Sequence, residues 1–293
     1  MKSFFTLCTM IALFLTGMAQ TDTTAKPPVA DTTVKPQADT IRIGGMVIIK
    51  KSGPQDSARR ADRDFTIQSR KRNNNSNIST NWWIVDLGFS NYADNTNYST
   101  AMSSGYLEGG AHSFGKDDFK LRTGKSVNVN IWVFMQKLNV IKHVVNLKYG
   151  LGVELNNYRY KKDNPISYKE TSPPQILWEE NMEFSKNKLA ADYVTVPLMI
   201  NFNTTPKSGN RGLSLSAGIS GGYLYSSRNK QISDENGKQK EKGDLGLNRW
   251  KLAYIGELGL GPVRLYGSYA ITDLHENGLS QRPYNVGIRF SNW

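Results

Sequence analysis

The sequence predicts an all-β protein: an eight-stranded antiparallel up-and-down transmembrane β-barrel behind a mostly disordered N-terminal leader. Three observations predict it. Eight segments alternate apolar and polar residues with a period of two, as strands with two unlike faces do. The connections between them alternate long and short. The aromatic residues gather toward the segment ends. Composition agrees, with only 38% hydrophobic residues among 293 but 26 Gly, 14 Tyr and 26 Asn, types that suit turns and half-buried strands. One apolar run, at the N-terminus, is long enough to consider as a helical span. A polytopic helical membrane protein is excluded, because each further helix needs roughly 20 mostly apolar residues.

The elements follow in chain order. Met1-Lys2-Ser3 is a short basic start, Phe4 to Thr16 is apolar, and Gly17-Met18-Ala19 places small residues at −3 and −1. This pattern predicts a secretory signal peptide over 1–19, cleaved after Ala19. An uncleaved anchor fits less well, since the apolar core is short and no stop-transfer charges follow. The single Cys, Cys8, lies before most of that core, so it is not a lipoprotein site, and the exported chain has neither a disulfide framework nor a Cys-based zinc site.

Residues 20–80 read as a basic leader. Asp22-Thr23-Thr24-Ala25-Lys26-Pro27 recurs as Asp31-Thr32-Thr33-Val34-Lys35-Pro36, a composition too polar to offset its ordering entropy. Two β-prone arms flank Gly44-Gly45, a short hairpin signal over 40–50. Arg59 to Arg72 is basic with few apolar residues, and the leader carries 11 basic against 6 acidic side chains. Such a segment suits contact with an anionic polymer or lipid headgroups, or is simply a solvated arm. Nucleic acid is not expected as a partner, because the signal takes the chain out of the cytoplasm.

The eight alternating segments begin at Trp83, Val127, Val145, Tyr193, Leu213, Leu252, Val263 and Tyr284. One face is Val, Leu, Ile, Phe and Tyr. The other carries Asp86, Lys148, Glu154, Glu257, Arg264 and Arg289 among Gly, Ser and Asn. A soluble barrel turns its apolar face inward, a membrane barrel its polar face. The connections decide between them. Long ones at about 91–124, 157–190, 227–248 and 272–282 alternate with short ones at about 139–143, 204–211 and 261–262. Both chain ends then lie on the short-turn rim, as in an up-and-down membrane barrel. The long connections mix charges of both signs and read as water-exposed. Pro197, inside the fourth segment, implies a bulge or a break in the ladder. Trp82, Trp83, Phe89, Tyr92, Tyr149, Tyr158, Tyr193, Phe202, Tyr223, Tyr225, Trp250, Tyr254, Tyr269, Tyr284 and Phe290 suit interfacial girdles.

An eight-stranded barrel is just wide enough for side chains to fill it, and an unpaired buried charge is costly. The six charged inward residues are therefore expected to pair as a lumen charge network, giving a plugged barrel and no general pore. The three His residues, His112, His143 and His275, do not form a recognisable catalytic pattern. His112-Ser113 and Asp273-Leu274-His275-Glu276 lie in different long connections, and a nucleophilic site needs His beside Ser or Cys with an orienting acid. No metal-binding, phosphate-binding or calcium-binding motif is present. No catalytic, cofactor or metal site is expected, and no enzymatic activity.

The terminal segment Tyr284 to Trp293, with Gly287, Phe290 and the aromatic end, resembles the assembly signal of outer-membrane barrels. Asp192 to Phe202 resembles the "Y-x-x-x-P-L-x-x-x-F" strand of the PorT-like outer-membrane β-barrel family of Bacteroidota. Leu215 to Gly222 resembles its following strand, Asn81 to Gly88 its first strand, and Asp39 to Lys51 a leader found in one subgroup. The resemblance covers roughly 39–293. It implies a barrel over 81–293 in the outer membrane with both termini periplasmic. Outer-membrane lipid and the barrel-assembly machinery are the implied partners, with cell-wall or periplasmic contact through the basic leader. The function expected is surface recognition, adhesion or membrane integrity through four extracellular loops. The alternatives are an accessory component of a secretion or motility complex, a lipid-modifying enzyme and a secreted lipocalin-like carrier.

Overall fold

The computed structural model describes residues 39–43, 46–50, 65–69, 76–162, 164–204, 212–260 and 263–291. The signal peptide, the Thr/Pro repeat and Trp293 lie outside them. Two units separate at Arg72. In the first, Asp39–Ile43 (β1), Met46–Lys50 (β2) and Phe65–Ser69 (β3) form an antiparallel sheet in the order β1-β2-β3. β1 and β2 are the two arms on either side of Gly44-Gly45, with Ile43 opposite Met46. β3 differs from the sequence expectation, which left 59–72 as a disordered arm. Its Phe65-Thr66-Ile67 core is short but β-prone, and β2 gives it a partner, Ile67 opposite Ile48.

The second unit runs Ile78–Asp94 (β4), Tyr98–Ser103 (α1), Leu107–Glu108 (β5), Val127–Ile141 (β6), Val145–Arg159 (β7), Ile166–Lys169 (β8) and Gln175–Trp178 (β9). It continues with Phe184–Asn203 (β10), Leu213–Ser233 (β11), Gly237–Lys242 (β12), Trp250–Leu260 (β13), Val263–Ala270 (β14) and Gln281–Phe290 (β15). Eight of these, β4, β6, β7, β10, β11, β13, β14 and β15, each pair antiparallel with the next, and β15 pairs back onto β4. The ring is closed and leaves no barrel edge. The connections alternate long and short as the sequence indicated, with both described ends of the unit on the short-turn rim. The first short turn has Lys142 at φ 45° and His143 at φ 60°, the paired left-handed conformation of a tight hairpin whose twist matches its strands. His143 N–H donates to Asn139 Oδ1 at 2.6 Å, so this histidine serves the turn.

Two irregularities shape the wall. Trp83 sits at φ 56°, and the β6–β7 register shifts between Trp132 and Phe134. These adjacent bulges turn both Trp82 and Trp83 outward. At Pro197 the ladder to β7 lapses between Thr195 and Leu198 with the register kept, while pairing to β11 is continuous. The missing N–H of proline accounts for the lapse.

The outer wall is apolar and exposed, with Val194, Val196, Leu198, Ile200 and Phe202 in succession on β10. Tyr254, Tyr269 and Tyr284 stand in one register row across three strands, and four residues nearer the long connections Tyr223 packs edge-on against Trp250, centroids 5.0 Å apart. Tyr92, Tyr158 and Tyr193 correct the girdle expectation: all three are buried inside. Inward parity on their strands places them beneath the long connections rather than against lipid.

Those connections are also not simply water-exposed. Phe119, Tyr160, Ile166, Tyr168, Leu189 and Leu245 join the buried tyrosines in one apolar core. β5, β9 and β8 form a small sheet there, and β10 and β11, at 20 and 21 residues, run well past the roughly 9–11 residues a spanning strand needs. The mixed charges of these loops decorate the outside of a folded cap.

Candidate functional site: a charged lumen beneath a folded cap

The alternation that exposes Val and Leu on the outside puts the opposite residues in the lumen. Five of the six charged residues read from the sequence meet there. Glu257, on β13, accepts from Lys148 Nζ at 2.8 Å, Arg264 Nη1 at 3.0 Å and Arg289 Nη1 at 2.6 Å. Arg289 also forms a two-pronged pair with Asp86, Nε to Oδ1 at 2.7 Å and Nη2 to Oδ2 at 2.8 Å. Trp132 Nε1–H donates to Asp86 Oδ2 at 2.8 Å, and Asn130 Nδ2 adds a bond at 3.2 Å. The guanidinium of Arg289 lies over the rings of Trp132 and Tyr266, a stacked setting that suits a planar cation. All five charged groups are buried.

Glu154 stands apart. It pairs with Lys251, which the sequence reading missed. Lys251 shares the inward parity of Ala253 and Glu257, so extending the sixth segment one residue upstream reveals it. The other missed members are amides. Asn128 Nδ2 bridges Asn130 and Asn156 at 2.7 and 2.9 Å, and Tyr266 O–H donates to Asn128 at 2.5 Å. Asn285 joins Asn156 at 3.2 Å. Charge and amide layers together line the bore, and nearly every member has a partner, as buried polar groups require.

Of the assembly-signal residues, Tyr284 and Phe290 face outward. Gly287 lies opposite Gly88 across the β15–β4 seam. A Cβ on Gly287 would meet Leu87 O at 2.2 Å and Tyr266 Cε1 at 2.7 Å. The two glycines let the strands close while Tyr266 lies over them.

The cap holds the remaining histidines. His112 Nε2 lies 3.0 Å from Asp118 Oδ2, and its ring stacks on Trp178 at 3.5 Å. His275 is buried, bonded through Nε2 to Tyr168 O–H at 3.1 Å, and Tyr168 in turn meets Tyr160 at 2.7 Å. Asp273 is engaged with Arg282 and Ser280. The two loop histidines therefore have separate hydrogen-bond partners while packing on the same aromatic core. Among the described residues, no three His, Cys, Asp or Glu side chains gather as a metal site.

Burial pushes His275 down from 6.5 to about 3, against an opposing pull from Asp94. Its folded pKa is thus below its unfolded one. Above pH 6.5 both states are neutral and stability does not depend on it. As pH falls toward about 3, the unfolded chain gains a proton the folded cap refuses, and stability drops. Limited proteolysis across this window is expected to cleave the cap loops faster at acid pH. His275→Phe should flatten the dependence; parallel slopes in both proteins would refute the assignment.

A family model described as an outer membrane protein beta-barrel domain matches residues 83–276. No curated protein matches the chain. Among solved structures, Ail, the attachment invasion locus protein of Yersinia pestis, crystallised with the heparin analogue sucrose octasulfate, is matched at 11% identity. That match covers 72% of this chain and 98% of Ail with a TM-score of 0.29.

Proposed function

This chain belongs to the outer membrane protein beta-barrel domain family, and on that premise we propose that it is a non-enzymatic, non-conducting barrel displaying a folded recognition surface. The long-loop rim faces the outside of the cell and both termini face the periplasm. The observation that supports the reading is the succession of buried layers, the Glu257-centred cluster, the paired amides and the apolar cap core. A barrel closed in this way offers its exterior, so adhesion, surface recognition or membrane integrity falls to the cap. Within the family, the Asp192–Phe202 and Leu215–Gly222 strands support a place among PorT-like barrels.

Planar-bilayer recording is expected to give no steady conductance for the intact protein. Arg264→Ala should lower the temperature at which the compact electrophoretic form is lost while leaving conductance low, because Glu257 keeps Lys148 and Arg289. High conductance with unchanged heat resistance would rule the plug out. The paired strands of the leader favour a second role, docking of a periplasmic partner or the cell wall. Recovery of such a partner with the intact chain, but not with one lacking 39–69, is the expected result.

A further inference from the structure

Above the outer aromatic row, β10, β11 and β12 continue as a ribbon, and its outward face is strongly basic. Asn187, Leu189, Asn229 and Gln231 point into the cap and are buried. The alternate positions therefore face out. One register row carries Arg159, Lys188, Lys230 and Lys240 on four adjacent strands. Arg228 and Lys242 are partners in the row below, and Ile232 brings Lys186 and Lys238 together in the row above. Like charges directly opposite one another in a sheet are destabilising. The mutual repulsion registers in the groups themselves: Lys238 and Lys186 push Lys230 down, and Lys242 does the same to Lys240.

Acidic partners are few. Asp192 holds Arg228 at 2.5 Å. Glu241 lies on the opposite face, accepting from the Glu170 N–H at 3.2 Å, and Asp234 and Glu235 sit at the ribbon tip. Lys188 bonds Asn157 at 2.6 Å. Among the described residues, no carboxylate forms an ion pair with Lys186, Lys188, Lys230, Lys238, Lys240 or Lys242.

Position selects the ligand. Arg228 is three residues beyond the exposed Tyr225 and Lys230 five, about 10 and 16 Å along a strand rising ~3.3 Å per residue. A tilt of about 40° brings these to about 8 and 12 Å above the aromatic level. The lower row thus lies at the headgroup layer and the upper rows just beyond it. The face also continues the lipid-facing side of the same strands, so it looks sideways at whatever stands beside the barrel, rather than upward.

We propose that this basic ribbon face binds the phosphate-bearing saccharide headgroup of an outer-leaflet glycolipid, with Arg159, Lys188, Lys230 and Lys240 as the central row. The inference rests on the orientation proposed above. Phosphate oxygens would neutralise cations that the fold leaves juxtaposed, tying the cap to its lipid surroundings.

The test reconstitutes the full chain into phosphatidylcholine vesicles containing diphosphorylated lipid A or its dephosphorylated form, then extracts it gently and measures retained lipid by native mass spectrometry. The phosphorylated lipid should be retained at least tenfold more than the dephosphorylated one. Lys188→Gln/Lys230→Gln/Lys240→Gln should abolish that preference while keeping the compact electrophoretic form, since all three side chains lie outside the barrel wall. Equal retention by variant and parent would overturn the proposal. So would displacement of the lipid by inorganic phosphate at equal concentration, or by sulfated dextran added to the vesicles, which would make the ligand a soluble anion. Biotinylation of intact cells reads the orientation separately: label on Lys238 and Lys240 is expected. Its absence would overturn the orientation, and the glycolipid source with it, even if the vesicles show phosphate binding.

Discussion

Glu257→Gln is expected to lower barrel stability by about 3–5 kcal/mol, the range for removing one partner from a buried ion pair. The side chain keeps its volume, so the loss is electrostatic. Three cations, Lys148, Arg264 and Arg289, converge on this carboxylate, and Asp86, already paired with Arg289, is the other acid of the cluster. Urea unfolding in lipid vesicles, followed by loss of the compact form on gels, measures the effect. A change within about 0.5 kcal/mol, the usual range for a surface substitution, would show that the cluster is not the structural centre of the lumen. Adding Lys148→Met to Glu257→Gln should recover part of the loss, because neighbouring sites in one network are not additive.

Gly287→Val should be as damaging through sterics alone. Even one added carbon at Gly287 comes within 2.2 Å of Leu87 O and 2.4 Å of Gly88 Cα. Both contacts are to β4 backbone, which cannot rotate away. Overpacking costs about 1–3 kcal/mol where side chains can yield, and here the seam itself must part. The expected result is a barrel that does not reach its compact form, both in cells and when refolded from urea into detergent. Refolding in detergent omits the assembly machinery, so it separates closure from recognition of the C-terminal signal. Normal refolding there, with failure only in cells, would assign Gly287 to the signal and not to the seam.

Most of the barrel is legible in the sequence because a two-sided strand writes its period into every second residue. Asp86, Lys148, Glu257, Arg264 and Arg289 are visible as charges on the otherwise small, polar parity. Lys251 escapes notice because Trp250 precedes it and the apolar run begins only at Leu252. Met135 hides for another reason: by simple alternation it falls on the apolar parity of Val129 and Ile131, until a bulge at Val133 is known to reset it. The cap is the least legible part. Its core draws single apolar residues from separate connections, such as Phe119, Ile166 and Leu245, and no local period links them. Tyr158 and Tyr193 flank or begin the alternating segments whether they face lipid or a cap, so position along the chain alone could not sort them.

The seam joining β15 to β4 also governs the order of events in folding. Asp86 and Arg289 are register partners separated by 203 positions in the chain. Seven of the eight strand pairings join neighbours in sequence and can form progressively, hairpin by hairpin. The eighth waits for nearly the whole chain, and loops of that length are slow to close. The last pairing to form is thus the one that gives Asp86 its cation. Until residue 289 arrives, the nascent sheet has two free edges and Asp86 without its cation beside one of them, so the step that closes the ring is also the step that neutralises Asp86.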